Sequence, residues 1–364
     1  MNPELSSFAA RLRGLIQQHL FLAGEQALDR QFDALALELF ALQFKYNFAY
    51  RKICQARKVT PRMVDHWTQV PFVPIGAFKE LELSGIPPAE RTAVFHSSGT
   101  TEQKPSRHFH NADSLALYEE SLWKWFELFL GSDDQFVFLS PPPRQAPHSS
   151  LVYMFETIRR KCGQPESAFT GSLASDGTWT VDYSATIQVL RSACDTGRRL
   201  SLLGTAFSFV HLLDYLGERN SSFKLPQLSS VMETGGYKNR SRALPKAELH
   251  QFITERLGVP REQIICEYGM SELSSQAYDN ATRGDGALRC FSFPAWARTQ
   301  IISPETGREV ADGETGLIRA FDLANVFSVA AIQTEDLGFR WGDWFDLIGR
   351  AQPAEPRGCS LMSA

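Results

Sequence analysis

A short apolar segment followed by small polar residues is the first feature of this sequence that could do chemistry. Thr92 to Phe95 reads as a buried strand, and a run of hydroxyl residues and glycine begins two residues later. Such a loop lets backbone N–H groups and hydroxyls approach a phosphate closely. The run lacks the Gly-Lys-Ser/Thr ending of the P-loop. The candidate phosphate-binding residues are Ser97, Ser98, Gly99, Thr100 and Thr101. A loop that is merely capped by its own hydroxyls remains the alternative.

A second candidate segment places a glycine pair at the end of a strand. Ser229 to Glu233 reads as a strand, Gly235 and Gly236 follow, and Lys238 comes two residues later. Small residues at the C-terminal edge of a strand allow a base or a ribose to lie against the backbone, where α/β sheets usually bind ligands. A plain strand-to-helix turn is the alternative.

Two further segments carry an aromatic ring, a hydroxyl and carboxylates. Tyr268, Gly269, Ser271 and Glu272 follow the apolar pair Ile264-Ile265. A carboxylate oxygen is the ligand that a hard cation bridging phosphates prefers. Two more candidates lie nearer the end of the chain. Asp336 belongs to the segment Thr334 to Gly338, and Arg350 is the last residue of the segment Phe345 to Arg350. A buried tyrosine and a surface glutamate form the plainer alternative for the first segment.

Composition limits the classes of protein to consider. The 364 residues, 43% of them hydrophobic, suffice for two or three domains or for one large α/β unit with a subdomain. A net charge of −4 gives no sign of a nucleic-acid partner. We see neither an apolar run long enough to span a membrane nor a signal peptide. The six cysteines form no CxxC pair, which argues against a zinc site and a disulfide framework and leaves a reducing cytoplasm as the expected compartment.

The apolar pattern indicates how the chain is organised. Helical spacing from Phe32 to Ile53 predicts a long N-terminal helix, and strands and helices alternate from Thr92. Short strands separated by Gly and Asp turns follow Gly286, at Arg289 to Ile302, Gly316 to Phe321, Val326 to Gln333 and Trp344 to Ile348. The alternation predicts a parallel sheet with helices on both faces. We therefore expect an N-terminal helical segment over 1–90, an α/β core over 91–285, a β-rich subdomain over 286–350 and a tail over 351–364.

Taken in order, the four motifs resemble those of the adenylate-forming (ANL) enzymes, which activate carboxylic acids as acyl-AMP. Ser271 stands where that family has threonine, and Glu335 replaces a glycine before Asp336. The resemblance implies that Tyr268 stacks on adenine, that Ser271 meets the α-phosphate and that Glu272 holds magnesium. It also implies that Asp336 binds the ribose hydroxyls, while Arg350 reaches the ribose or a phosphate. ATP and Mg²⁺ are the implied cofactors.

The C-terminal part narrows the resemblance. Longer ANL enzymes continue into a mobile lid domain that supplies a catalytic lysine, whereas only fourteen residues follow Arg350 in this sequence. The segment Arg357-Gly358-Cys359-Ser360, together with Ser106-Arg107-His108 and Gly235 to Lys238, resembles the LuxE-type acyl-protein synthetases. The implied fold is the ANL large domain, with parallel sheets flanked by helices and a β-rich subdomain but no C-terminal lid.

This resemblance implies a two-step reaction. A fatty acid reacts with ATP to give acyl-AMP, and the acyl group then passes to the thiol of Cys359 for delivery to an acyl reductase (LuxC-like) partner, in a heteromeric complex. Lys104, Arg107 or Lys238 would stabilise phosphate charge, and Lys238 is the candidate substitute for the lid lysine. His96, His108 and His148 are unranked candidates to face the carboxylate or a phosphate.

Two alternatives remain at this stage. One is a ligase that delivers the acyl group to coenzyme A or to an acyl carrier, with Cys359 idle. The other is a non-catalytic subunit that uses the nucleotide fold to regulate a reductase. The chain has no dinucleotide fingerprint, so we expect no reduction by the chain itself. The acyl chain length and the pathway do not follow from the sequence.

Overall fold

The computed structural model describes residues 2–18, 25–97, 104–175, 177–235, 244–280 and 289–350. Several predicted site residues lie outside these ranges: Ser98, Gly99, Thr100, Thr101, Gly236, Lys238 and Cys359.

Helices and strands alternate through the middle of the described chain, and strands predominate after it. The α-helices are α1 (Pro3–Gln17), α2 (Glu25–Tyr46), α3 (Phe48–Ala56), α4 (Ala77–Glu80), α5 (Ala112–Leu130), α6 (Ser150–Cys162), α7 (Tyr183–Thr196), α8 (Ala206–Glu218) and α9 (Lys246–Leu257). The first strands are β1 (Val73–Pro74), β2 (Ala93–His96), β3 (Arg107–His110), β4 (Gln135–Leu139), β5 (Ala168–Phe169), β6 (Gly171–Leu173), β7 (Trp179–Val181) and β8 (Leu200–Thr205). The later strands are β9 (Ser230–Thr234), β10 (Ile264–Tyr268), β11 (Ala277–Asp279), β12 (Phe291–Ser292), β13 (Ala297–Ile302), β14 (Thr315–Asp322), β15 (Ala331–Trp341) and β16 (Trp344–Arg350).

A twelve-stranded sheet organises the described residues. Its order is β13-β14-β15-β16-β12-β11-β10-β9-β8-β4-β5, and β1 pairs with β15. The neighbouring strands β5, β4, β8, β9 and β10 run parallel. The strands from β11 to β16 pair antiparallel with one another, β11 is antiparallel to β10, and β1 pairs parallel with β15. Two separate hairpins, β2-β3 and β6-β7, lie outside the sheet. The predicted mixed α/β architecture with a parallel core is confirmed.

Alternating side chains on the parallel strands explain the two helical layers. On β9, Val231 packs with α7, α8 and α9, whereas its neighbour Met232 packs with α5 and α6. Ile264 and Ile265 on β10 divide in the same way. Successive strand residues point to opposite faces, so a strand with an unbroken apolar run must be covered on both sides.

The long N-terminal helix predicted across residues 32–53 is wrong in one respect, because it is two helices. The side chain of Asn47 accepts a hydrogen bond from the Tyr50 backbone N–H at 3.1 Å and caps α3. The Asn47 amide also donates to the Ser328 carbonyl oxygen at 3.2 Å. Asparagine favours the N-cap position because its side chain satisfies an N–H group that has no partner within the helix.

Three other elements differ from the sequence pattern. Helix α8 was not anticipated, because it begins directly after β8 and the apolar run across the two elements does not show where the strand ends and the helix begins. Pro294 falls between β12 and β13, where a single strand over 289–302 was expected. The strand expected over 326–333 begins only at Ala331 and continues to Trp341.

The strands after residue 286 are continuous with the central sheet. Strand β12 pairs with β11 on one side and with β16 on the other. The division of the chain at residue 286 therefore stays a prediction. Among the helices of the described residues, none is both long and apolar enough to cross a bilayer.

Replacing Gly316 with alanine should destabilise the protein by about 1–3 kcal/mol through overpacking. The added Cβ would lie 2.6 Å from the carbonyl oxygen of Ile302, on the neighbouring strand. Gly14→Ala is the control, because no atom lies within 4 Å of the Cβ position there, and it should add about 0.5–1 kcal/mol. Urea denaturation measures both. A Gly316→Ala variant as stable as Gly14→Ala would contradict the packing of β13 on β14.

Candidate active site

Parallel strands β9 and β10 end side by side and bring two of the predicted segments to one edge of the sheet. Thr234, at the end of β9, is in register with Glu267 of β10. Gly235 follows with a φ of 71°, a left-handed conformation that glycine adopts without strain. Gly235 and Tyr268 therefore lie at the same carboxyl edge, where open α/β sheets bind their ligands.

Tyr268, Asp336 and Arg350 form the first group at this edge. The Tyr268 hydroxyl donates to Asp336 Oδ2 at 2.9 Å, and Arg350 Nε lies 3.7 Å from Asp336 Oδ1. Strands β15 and β16 bring the two charged residues together, because Asp336 and Arg350 are register partners. Burial raises the pKa of Asp336, while Tyr268 and Arg350 oppose that shift.

The tyrosine ring is wedged among aromatic side chains. Its centroid lies 5.4 Å from that of Phe345 and 6.1 Å from that of Phe291, with the ring planes steeply inclined. Inclined packing of this kind is favourable between aromatic rings and fixes the orientation of Tyr268. The ring position is therefore set by the sheet.

Glu272 forms the second group. Its side chain is buried, Oε1 accepts a hydrogen bond from the Ser106 hydroxyl, and Oε2 accepts one from the Ser271 hydroxyl at 2.9 Å. Burial raises the pKa of Glu272, and the two serine hydroxyls and the charge of Lys79 act in the opposite direction. The hydroxyls of Ser106 and Ser271 and the carboxylate of Glu272 therefore lie together, and all three offer oxygen atoms of the kind that bind a hard cation.

A hairpin joins the predicted phosphate loop to this carboxylate. Ser97, at the start of the loop, accepts a hydrogen bond at its Oγ from the Ser106 backbone N–H at 3.0 Å. Two residues beyond Ser106, His108 Nδ1 lies 2.9 Å from the Ser271 carbonyl oxygen. Burial lowers the pKa of His108 to about 4, so the ring is neutral and donates through Nδ1.

The structure separates the three candidate histidines. His96 and His148 stack on each other at 4.7 Å, and His148 Nδ1 contacts the Val94 carbonyl oxygen at 3.2 Å. These contacts join the β2 strand of the β2-β3 hairpin to the segment before α6 and do not involve Ser271 or Glu272. Among the three, His108 is the one that contacts the Ser271-Glu272 pair, although the sequence did not distinguish it.

A second layer of polar residues supports the turn after β10. Asn325 Nδ2 donates to the Glu272 carbonyl oxygen at 2.8 Å, and Asn325 Oδ1 accepts from the Ser274 hydroxyl at 2.6 Å. Asp322 accepts hydrogen bonds from the backbone N–H groups of Ser274 and Ser275, both at 2.8 Å. Asn325 and Asp322 had no signal in the sequence, and they lie in a segment expected to be strand or turn.

Glu267, five residues before Glu272 in the sequence, is a second buried carboxyl group. Thr234 Oγ1 donates to its Oε2, and the residue lies opposite Tyr278 across β10 and β11. Burial raises the pKa of Glu267 to about 7. A Cβ at Gly269 would lie 2.3 Å from Glu267 Oε1, so Glu267 accounts for the glycine after the tyrosine.

The described members of the predicted site therefore divide into two contact groups. Tyr268, Asp336 and Arg350 form one, and Ser271 and Glu272 form the other, joined to Ser97 through Ser106. Gly235 follows β9 and Gly269 follows β10, both at the carboxyl edge of the sheet. Ser106 had a sequence signal in the Ser-Arg-His motif, whereas Lys79 had none.

Comparison with solved structures places this architecture in a known class. An open conformation of 2-hydroxyisobutyryl-CoA ligase, solved with 2-HIB-AMP and CoA, superimposes with a TM-score of 0.64, covering 88% of this chain and 69% of that chain at 13% identity. The same ligase in its thioesterification state gives a TM-score of 0.64 over 90% of this chain. The fold, a large sheet flanked by helices, is that of the adenylate-forming enzymes.

Sequence comparison identifies the family within this class. The model of the acyl-protein synthetase (LuxE) family matches residues 15–364, so the chain belongs to that family and is a ligase. The long-chain-fatty-acid–luciferin-component ligase of Aliivibrio fischeri is 23% identical over 356 residues, covering 91% of this chain and 87% of that protein. The ligase of the same name from Vibrio harveyi is 22% identical over 338 residues, covering 88% and 84%.

Glu267→Gln should become more stable than the wild type as the pH rises. In the folded protein the carboxyl keeps its proton up to about pH 7, whereas in the unfolded chain it releases the proton near pH 4.3. The wild type therefore loses up to about 4 kcal/mol of stability as the pH rises through this window, and the glutamine variant does not.

Thermal unfolding at about pH 5 and about pH 8 measures the effect, since the stability difference must appear across this interval. The control is Glu305→Gln, the same chemical change at an exposed turn residue. A difference between Glu267→Gln and wild type that stays constant with pH would contradict a buried, protonated Glu267.

Proposed function

We propose that this chain activates a fatty acid with ATP as acyl-AMP and then carries the acyl group as a thioester on Cys359. The observation that carries the first half is the meeting of two groups at one sheet edge, Tyr268-Asp336-Arg350 and Ser106-Ser271-Glu272. The fatty-acid substrate is supported by the two related ligases, whose names specify a long-chain fatty acid.

The nucleoside end of ATP is assigned to the first group. The ring of Tyr268 is 6% exposed and packed against Phe345 and Phe291, so stacking on adenine would require these rings to move apart. The carboxylate of Asp336 is proposed to accept hydrogen bonds from the ribose hydroxyls. Asp336 already accepts from the Tyr268 hydroxyl, which orients the carboxylate before the nucleotide binds. Arg350 is largely exposed, with 81% of its side chain accessible, so its guanidinium has room to reach a ribose or phosphate oxygen.

The phosphate end is assigned to the second group. Glu272, with the hydroxyls of Ser106 and Ser271, supplies the oxygen donors that suit Mg²⁺, whose charge would offset that of the phosphates. Ser98, Gly99, Thr100, Thr101, Gly236 and Lys238 are proposed to bind phosphate and nucleotide. Fixed donors of this kind stabilise charge that develops as pyrophosphate leaves.

The second step transfers the acyl group to sulfur. The Cys359 thiolate attacks the acyl carbonyl carbon, a C–S bond forms, and the bond between that carbon and the AMP phosphate oxygen breaks, so that AMP leaves with the bonding electrons. The thiol proton passes to solvent or to a nearby base. Cys359 lies nine residues beyond Arg350, and nine residues span at most about 30 Å.

A protein thioester is useful when a second protein consumes it, and we therefore propose an acyl reductase as the partner. Reduction of a thioester to an aldehyde requires a hydride donor, and the chain carries no dinucleotide fingerprint. The reductase would supply that chemistry in a heteromeric complex.

Glu272→Gln should lower ATP–pyrophosphate exchange by about 100-fold or more, because glutamine cannot provide the second carboxylate oxygen or the negative charge. Glutamine still bonds to both serines, so thermal unfolding should change little. Glu305→Gln, at an exposed turn, is the matched control and should exchange at the wild-type rate. Unchanged exchange in Glu272→Gln would sink the assignment of this carboxylate.

Cys359→Ser should abolish covalent acylation and leave pyrophosphate exchange intact. Intact-protein mass after incubation with ATP, Mg²⁺ and fatty acids of several lengths should show a hydroxylamine-labile acyl group on wild type. Cys194→Ser, which removes a half-buried thiol on α7, should still be acylated. Pyrophosphate exchange without any covalent acyl mass would contradict the role of Cys359 and indicate a soluble thiol, such as coenzyme A, as the acyl acceptor.

A further inference from the structure

Three metal-ligating side chains meet behind the strands that carry Gly235 and Tyr268. Glu233 comes from β9, Cys266 from β10 and His250 from α9, and their exposed fractions are 7%, 2% and 1%. Glu233 Oε1 lies 2.9 Å from Cys266 Sγ and 3.5 Å from His250 Nε2. Cys266 Sγ lies 3.7 Å from His250 Nε2.

Two of the three separations match ligands around a single ion. Tetrahedral zinc with bonds of about 2.3 Å to sulfur and about 2.0–2.1 Å to nitrogen and oxygen holds its ligand atoms roughly 3.3–3.6 Å apart. The two separations that involve Nε2, 3.5 and 3.7 Å, agree with this range. Sγ and Oε1, which lie 2.9 Å apart in a thiol hydrogen bond, would move apart when the ion replaces the thiol proton. One oxygen of Glu233 faces both Sγ and Nε2, so the three atoms form a triangle around a common point. A nucleophile-base-acid relay would instead use the two ring nitrogens separately.

The surroundings suit a thiolate ligand. Arg289 Nη2 lies 4.0 Å from Cys266 Sγ, and Lys246 stands beside the same sulfur. Both cations are also paired with Asp279, Arg289 at 2.8 Å and Lys246 at 3.3 Å, so the local charges are balanced. Charged donors around the sulfur stabilise its deprotonated form, and outer contacts of this kind orient metal ligands.

We propose that Glu233, His250 and Cys266 form a binding site for one transition-metal ion of the zinc class. A thiolate and an imidazole select such an ion over Mg²⁺, which prefers oxygen. The site is separate from Glu272 in both residues and ligand chemistry. The absence of a CxxC pair gave no hint of it, because His250 and Glu233 lie 16 and 33 residues from Cys266 and meet only through the fold.

The location indicates a structural role. The ion would tie α9 to β9 and β10, directly behind the strand ends that hold Gly235 and Tyr268. Three protein ligands leave a fourth tetrahedral position for water or another donor. The ligand form of cysteine is the thiolate, so binding must release the thiol proton of Cys266.

The test uses the full chain, produced in minimal medium with either zinc or cobalt and then dialysed. Metal analysis should give one ion per chain, and the cobalt protein should show a thiolate-to-cobalt charge-transfer band in the near ultraviolet. Cys266→Ser should remove the band and weaken zinc binding by more than about 100-fold, beyond the loss typical of outer contacts. Cys290→Ser, another buried thiol, should keep both signals.

Wild type without a stoichiometric ion, or a band that persists in Cys266→Ser, would overturn the site and leave a metal-free hydrogen-bonded cluster. If Cys266→Ser fails to fold, His250→Gln provides the second variant, and the wild-type spectrum alone still decides. These readouts are independent of catalysis, so the acyl-transfer proposal can fail while the metal site stands, and the reverse.

Discussion

The buried carboxylate of Asp322 holds the turn that presents Glu272. It accepts hydrogen bonds from the N–H groups of Ser274 and Ser275, from the Ser275 hydroxyl at 2.7 Å and from the Ala324 N–H at 2.9 Å. Burying a charge is costly unless donors replace water, and here both carboxylate oxygens are satisfied. Burial raises the pKa of Asp322, and these hydrogen bonds oppose the shift. The turn after β10 therefore has one conformation, and Glu272 is presented in one orientation.

Asp322 is the last residue of β14, so the turn is positioned from outside the parallel core. Asn325, three residues later, donates to the Glu272 carbonyl oxygen. Gln43 of α2 in turn donates to the Asn325 carbonyl oxygen at 2.8 Å. The N-terminal helices, the antiparallel strands and the parallel core thus share one polar network. The turn that carries Glu272 lies where all three meet.

Residues within a motif could be predicted from the sequence, and residues that support a motif could not. Tyr268, Asp336 and Arg350 each stand in a short segment whose composition indicates a role, and the structure brings them into contact. Asn325 lies 53 residues from Glu272 in an apolar stretch that gave no sign of it. The separation of α2 from α3 at Asn47 depends on a contact with Ser328, which local periodicity cannot reveal. Sequence patterns report local geometry, whereas these contacts follow from long-range packing.

The register of β15 and β16 has a consequence for the chain beyond it. Asp336 pairs with Arg350, so the last described residue lies beside the carboxylate assigned to the ribose. In the proposed acyl transfer, nine residues of chain would link Cys359 to that point. Linking two groups through a short flexible linker gives effective concentrations in the millimolar range. If Cys359 is the acceptor, a soluble thiol would need a comparable concentration to compete with it.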